Sequence, residues 1–305
     1  MVKKRAGSSV NGLVILDKPI GLSSNQCLQK VKHLLGAAKA GHTGSLDPLA
    51  SGVLPLCFGE ATKISQFLLD SDKKYKTTIK LGVSTTTGDS EGEVVSTSSV
   101  PKFTVKDLEE IIQEFEGDLI QEPSIYSALK QNGVPLYKLA RAGKKIEPKF
   151  RQITIYYIKL LSWVWPNLEL EVSCSKGTYI RTLAEDIGKK LVTGAHVISL
   201  RRLKAGPFAL DQSYTIEQLQ EISLESSFHV LEKCLLATDM AILEVPVILL
   251  NAEQTISLRQ GKLVKLNLQN AEKVVRVYFE EEFIGLAEMR VDGNLAAKRL
   301  MQYMP

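Results

Sequence analysis

A chain of 305 residues, 44% hydrophobic and 24% charged, is long enough to bury full cores and to divide into two domains, which excludes a disordered or fibrous polymer. Its formal charge of +4 is too small to name a polyanionic partner by itself. No apolar run reaches spanning length, and Met1-Val2-Lys3-Lys4-Arg5 is followed by small polar residues instead of a signal core, so the expectation is a cytoplasmic protein with no membrane contact.

Residues 1–9 read as a disordered basic tail. Leu13 to Leu16 is a short apolar strand stopped at Asp17-Lys18-Pro19; Ser23 or Ser24 then caps a helix whose Leu28, Val31, Leu34 and Leu35 share a face, ending at Gly36. Gly41-His42-Thr43-Gly44-Ser45-Leu46-Asp47-Pro48-Leu49-Ala50-Ser51-Gly52 follows, too rich in glycine and proline for a regular element, and runs into the apolar strand Val53 to Phe58. Asp47 is the only acid of that loop, and Pro48 restricts its backbone. The residues alone leave it open whether Asp47 accepts hydrogen bonds within its own turn or presents a reactive carboxylate.

Ala61 to Leu69 reads as helical, and Lys73 to Leu81 alternates so that Tyr75, Thr77, Ile79 and Leu81 face one way. Thr85 to Val94 reads as an exposed turn carrying Asp89, Glu91 and Glu93. Thr104-x-x-Asp107 is a capping box ahead of an apolar stripe, Val105, Leu108, Ile111, Ile112 and Phe115, and Gly117 ends that helix. Residues 122–151 then hold seven bases (Lys130, Lys138, Arg141, Lys144, Lys145, Lys149, Arg151) against two acids, so the positive excess of the whole chain lies in this window. Its prolines and glycine predict an excursion with one short helix, Leu136 to Ala142, and its aromatics among bases suit either a phosphate-tracking surface or a solvated lysine-rich face.

Ile153 to Trp165 and Leu168 to Cys174 read as a hairpin across Pro166-Asn167, followed by a helix from Thr178 to Leu191 on which Arg181 could pair with Glu185 one turn on. Val197 to Leu203 is a strand, and Thr215-x-x-Gln218 caps a helix from Ile216. Beyond Pro246 the chain turns strand-rich, with two strands from Val274 to Val291 around Glu280-Glu281-Glu282. The four cysteines and four histidines show no ligand spacing, so neither a metal nor a disulfide is expected.

Gly41 to Lys63, GHTGSLDPLASGVLPLCFGEATK, resembles the aspartate-bearing signature of the bacterial tRNA pseudouridine-55 synthases, with Ser45 and Ser51 where the family usually has threonine. Val10 to Pro19, Tyr75 to Gly82, Cys174 to Gly188 and Leu200 to Gly206 match further family stretches in the same order. The resemblance implies an α+β pseudouridine-synthase fold, built on a mixed, largely antiparallel sheet flanked by helices. It assigns residues 10–240 to a catalytic domain, 122–151 to an RNA-clamping insertion, and 246–305 to a small β-rich C-terminal RNA-binding domain of the pseudouridine-synthase-and-archaeosine-transglycosylase (PUA) type.

The same resemblance implies isomerisation of uridine 55 in the T loop of tRNA, without a cofactor because no electrons enter or leave. It makes Asp47 the nucleophile, Arg181 its partner, and Tyr75 the residue that stacks on the uracil and helps remove the C5 proton. Tyr179 and Leu200 become pocket walls, and His42 fills the gap left by the flipped base. Whether Asp47 attacks C1′, attacks C6 or assists elimination stays open, with the sugar-centred routes preferred. The implied partner is the T arm of tRNA, with no protein partner required and a monomer expected. Two other readings remain: a non-catalytic RNA-binding or tRNA-folding module using Gly41 to Gly44 as a GxxG clamp, and a synthase acting on ribosomal RNA.

Overall fold

The continuous apolar run that follows the glycine-rich loop needs cover on both faces, and it receives it inside a mixed sheet, one strand in from an edge. The computed structural model describes residues 10–127, 129–147, 149–225, 233–266 and 273–302, so the expected basic tail at 1–9 lies outside the described residues. The first elements are β1 (Gly12–Lys18), α1 (Ser24–Leu34), β2 (Ala40–His42), β3 (Ala50–Phe58), α2 (Ser65–Leu69), β4 (Lys73–Leu81), β5 (Val83–Thr85), β6 (Val94–Thr97), α3 (Val105–Gln113) and β7 (Gly117–Gln121). They continue with β8 (Lys130–Gln131), β9 (Val134–Pro135), α4 (Leu136–Arg141), β10 (Arg151–Val164), β11 (Asn167–Cys174), α5 (Ile180–Lys190), β12 (Ala195–Ala205), β13 (Phe208–Ala209) and α6 (Ile216–Glu225).

The main sheet runs β1-β3-β12-β4-β11-β10-β7, with β2 added on β3 and β13 on β12. All of its pairs are antiparallel except β3 with β12, which makes the sheet mixed and largely antiparallel as expected. Residues Lys73, Tyr75, Thr77, Ile79 and Leu81 are buried along β4, the face that the alternation assigned to the core. Pro55 sits in β3 where it costs no ladder bond: β12 pairs only as far as Gly52, and β2 joins only from Leu56. At Gly52, φ is +103° and an added Cβ would lie 2.2 Å from the carbonyl oxygen of Arg202, so the close β3–β12 approach requires glycine.

Ser23 and Thr104 form the capping boxes of α1 and α3, and Thr215 exchanges the same pair of bonds with Gln218 ahead of α6. Ala61 to Leu69 is not one helix. Gly59–Ile64 is 3₁₀ and only α2 is α-helical, so the short segment packs Ala61, Ile64 and Leu68 by two successive turn geometries. Thr85 to Val94 also differs from expectation, because β5 and β6 pair across it and the loop folds back until Asp89 is only 2% exposed.

The C-terminal part comprises β14 (Val247–Leu250), α7 (Ala252–Arg259), β15 (Val264–Lys265), β16 (Lys273–Phe279), β17 (Glu282–Met289) and β18 (Asn294–Leu300). They form a second sheet in the order β14-β16-β17-β18-β15 with its own core around Val277, Ile284 and Leu295. Phe283, Leu286 and Met301 of this unit pack with Leu13, Ile15 and Cys57 of the main sheet, so the two sheets share one apolar contact. Among the described residues no helix is long and apolar enough to cross a membrane.

Candidate active site

Parallel pairing of β3 with β12 places Leu200 opposite Ala50, and the antiparallel pairing of β12 with β4 places Arg202 opposite Tyr75. Asp47, three residues before Ala50, therefore emerges beside Tyr75 and Leu200. The hairpin of β10 and β11 feeds α5, whose first turn brings Tyr179 and Arg181 to the same place. Asp47, Tyr75, Tyr179, Arg181 and Leu200 line one cleft of about 680 Å³, with Arg151 on its rim. Five of the six residues to which the resemblance assigned roles thus converge, although they are up to about 150 positions apart in the chain.

The loop that carries Asp47 is held from several sides. Ser24 Oγ accepts from the Leu46 amide at 2.7 Å, the Gly21 amide donates to the Pro48 carbonyl at 2.8 Å, and Arg202 Nη2 donates to the Gly44 carbonyl at 3.0 Å. The Asp47 backbone carbonyl closes the turn by accepting from Ala50 N at 3.0 Å, which leaves its carboxylate for Arg181 Nε at 3.1 Å. The Asx-turn alternative is therefore replaced by a backbone turn with an outward carboxylate. Its side chain is 38% exposed, and that exposure opens on the cleft.

Arg181 has a side chain only 7% exposed and is fixed by four partners. Besides Asp47, it donates Nη1 to Asp89 at 3.4 Å and to the Thr87 carbonyl at 3.0 Å, and Nη2 to the Tyr126 carbonyl at 3.3 Å. Its ion pairs reach across the fold to Asp47 and Asp89, not along α5 to Glu185. Asp89 is itself oriented by accepting from Thr87 Oγ1 and from Glu91 N, so two carboxylates share one rigid guanidinium. Tight folding of this loop needs glycine at 88, where φ is +72° and an added Cβ would lie 2.6 Å from Glu185 Oε1.

Burial raises the pKa of Asp47 above the ordinary aspartate value; Arg181 opposes that rise, Asp89 adds to it and Lys18 subtracts from it. Tyr75 is also pushed up by burial, against the nearby Arg202 guanidinium, so it stays a neutral phenol at neutral pH. Burial and Arg202 lower the pKa of His42, which leaves a neutral imidazole. His42 ends β2 and does not line the cleft; its Nδ1 is buried with no hydrogen-bond partner among the described residues.

Sequence reading passed over three further groups. Arg202 is 1% exposed and donates Nε to the Val53 carbonyl at 2.6 Å, filling the gap beside β3 where no strand pairs. Lys18 is 0% exposed and donates Nζ to the Ala50 carbonyl at 2.6 Å, and burial lowers its pKa. Gln121 of β7 exchanges two bonds with the backbone of Tyr179, at 3.0 and 2.7 Å, and so sets the start of α5. Lys18 and Arg202 fall within the family-matching stretches Val10 to Pro19 and Leu200 to Gly206, but without a role attached, and Gln121 showed only polarity next to apolar residues, which surface residues share.

Of the basic window, Lys130, Lys138, Arg141, Lys144, Lys145 and Lys149 face solvent, whereas Arg151 is half-buried in the cleft wall. The window is attached to the site at its base, through the Tyr126 carbonyl on Arg181 and Ser127 in the cleft lining.

Comparisons with known proteins bear on the family of this chain. The models described as TruB family pseudouridylate synthase (N terminal domain), tRNA pseudouridylate synthase B C-terminal domain, and Pseudouridine synthase II TruB, C-terminal, match residues 32–180, 181–243 and 246–301. The chain is 50% identical over 300 residues to a tRNA pseudouridine synthase B of Pseudomonas aeruginosa (strain UCBPP-PA14), covering 98% of each chain. It is 47% identical over 311 residues to that of Vibrio atlanticus (strain LGP32), covering 99% of this chain and 98% of the relative. Among solved structures, a chain of an H/ACA RNP bound to a substrate RNA containing 2′-deoxyuridine superposes with a TM-score of 0.73 at 22% identity, over 97% of this chain and 86% of that one, a likeness of fold. A chain of a Cbf5-Nop10-Gar1 complex gives a TM-score of 0.70 at 25% identity, over 92% of this chain and 79% of that one. With three family models in register over residues 32–301 and near-half identity along its length, the chain belongs to the TruB family of pseudouridylate synthases.

Proposed function

We propose that this chain is a tRNA pseudouridine synthase that converts uridine 55 of the T loop to pseudouridine, with residues 10–240 as the catalytic domain and 246–305 as a PUA-like RNA-binding domain. The observation that carries the reading is the Asp47–Arg181 pair at 3.1 Å, opening on a cleft walled by Tyr75, Tyr179 and Leu200. The reaction breaks N1–C1′, turns the uracil and joins C5 to C1′; C5 loses a proton and N1 gains one. No electrons are exchanged, so the residues need no redox cofactor.

Asp47 serves as the nucleophile at the sugar carbon, and the fixed Arg181 fork aims it. Tyr75 stacks on the uracil. As a neutral phenol it takes the C5 proton only as it passes its own to the Asp47 carboxylate, by then free of the sugar; that proton leaves Asp47 for N1 or solvent, which regenerates the ionised nucleophile. A stacked loop uridine reaches this carboxylate only after flipping, which costs a few kcal/mol. Neutral His42 offers a stacking surface for the vacated position, worth roughly 1–3 kcal/mol. A pure folding module has no need of a cleft-facing aspartate held by a buried arginine–aspartate pair, which favours the enzyme.

The test is release of tritium from a T-arm stem-loop carrying C5-tritiated uridine, with purified protein and no added metal or nucleotide. Stoichiometric release is expected, and none would refute the assignment. Because the reactive form of Asp47 is ionised and its pKa is raised, the acid limb of kcat/KM should fall at a pH above the ordinary aspartate value of about 3.9, with activity rising as pH rises through it. A limb at or below that value would contradict the burial of the group.

The six solvent-facing bases of the window suit RNA phosphates. Replacing Lys144, Lys145 and Lys149 together by alanine should weaken tRNA binding and reduce the slope of log Kd against log salt by about 2 to 3, near 0.9 per lost phosphate contact. An unchanged slope would remove the clamp from the account. We further place the protein in the cytoplasm, acting as a monomer without a protein partner. An activity on tRNA supports the first, and the described residues of one chain already bring Asp47, Arg181, Tyr75, Tyr179 and Leu200 to one cleft without needing a partner's side chain.

A further inference from the structure

The rim of the active-site cleft continues into a second, shallower hollow. Arg151 and Gln152 line both, and Asp118, Leu119, Ile120 and Phe150 complete the second, which is about 380 Å³. It lies on the outer face of β7 and the start of β10, at the open edge of the main sheet. The register explains its composition: Ile120 stands opposite Gln152 and Asp118 opposite Thr154, so these side chains share the solvent face, while Arg151, opposite Gln121, points to the cleft.

Two large apolar side chains here are bare. Ile120 is 77% exposed and Phe150 is 65% exposed, although a sheet edge is where such residues are most costly. Phe150 lies between Lys149 and Arg151, two of the window's bases. An aromatic face set among cations and joined to a cleft of about 680 Å³ is the pattern of a base-stacking platform.

The polar groups narrow the ligand further. Asp118 Oδ1 accepts from Thr154 Oγ1 at 2.6 Å, which holds the carboxylate in place and leaves Oδ2 for a second donor. A carboxylate repels phosphate, so the backbone cannot enter the hollow. It accepts readily from an exocyclic amine, as acidic side chains do from cytosine N4. The Gln152 carboxamide adds a donor and an acceptor at the other end. Lys149, exposed next to Phe150, is the base available to a flanking phosphate, while Arg151 stands at the junction with the main cleft.

We propose that this hollow is a nucleobase subsite, in which one unpaired, amino-bearing base of the substrate RNA stacks on Phe150 and donates to Asp118 while the target uridine occupies the main cleft. The proposal rests on the functional reading above, since it needs RNA in the cleft. It makes Phe150 and Asp118 specificity residues that act before chemistry.

The experiment uses the full chain and T-arm stem-loops with 2-aminopurine placed in turn at each unpaired position other than the target. One position should show a fluorescence change on binding to the wild type that is lost with Phe150→Ala and kept with Phe150→Trp. Phe150→Ala should raise KM roughly 5- to 150-fold, the range of one base–aromatic stack, with kcat within twofold. Phe150→Leu should behave as Phe150→Ala if stacking is what matters. Asp118→Ala should abolish discrimination between stem-loops with and without the exocyclic amine at the responsive position. Phe150 is exposed, so these variants should fold. If no position responds to Phe150, or KM stays within twofold while the wild type turns over normally, the subsite is wrong and the functional reading stands. A wild type inactive on every stem-loop would instead remove the functional reading itself.

Discussion

Asp47→Asn should abolish pseudouridine formation, by about 10⁴-fold or more, and leave tRNA affinity within a few-fold. Asparagine keeps the shape and the turn, whose closing bond uses the backbone carbonyl, but has no charge to attack or stabilise C1′ and no capacity to accept the proton. Stability supplies a second readout. A carboxyl whose folded pKa is raised contributes stability below its unfolded pKa, and that contribution is lost as pH rises through the folded value. At neutral pH the ionised Asp47 is therefore a burden on the fold, and Asp47→Asn should melt no lower than the wild type. An inactive variant that is also unfolded would say nothing about chemistry; an inactive one of undiminished Tm assigns the loss to the missing oxygen. Appreciable turnover by a folded Asp47→Asn would require another nucleophile.

The second large effect belongs to Arg181. Arg181→Lys keeps a charge but cannot span Asp47, Asp89, Thr87 and Tyr126 from one planar fork, so Asp47 loses its aim and the turnover rate should fall by at least about 100-fold. Arg181→Met should add a fold penalty of about 3–5 kcal/mol, because Asp89, 2% exposed, is left as a buried charge without its cation. Single-turnover rates with bound tRNA separate the two: the lysine variant should bind normally and react slowly, whereas the methionine variant should also show a lowered Tm. If Arg181→Lys reacted within tenfold of the wild type, the pair would be structural and the aspartate would be positioned by its loop alone.

Much of the fold was visible in local pattern, for reasons that differ by element. β4 was legible to the residue because alternation survives wherever one face is buried and the other wet. The capping boxes were legible because they are satisfied within three residues. The segment after β3 was misjudged as one helix, since 3₁₀ and α turns share an apolar spacing over so short a length. The acidic turn was misjudged in a more instructive way: Asp89 looks solvated next to Glu91 and Glu93, and only Arg181, 92 positions on, makes its burial tolerable.

By itself, the chain determined whatever is encoded within a few residues: the shape of the aspartate-bearing loop, the strands and helices around it, and the family signatures that point to Asp47. The tertiary structure alone decided which charges meet. Arg202 in the gap beside β3, Lys18 beneath the loop, and the sharing of Arg181 between Asp47 and Asp89 all depend on strands brought together from distant parts of the sequence. A buried charge is stable only with its partner in place, and that partner is supplied by strand register and helix placement, which no local window contains.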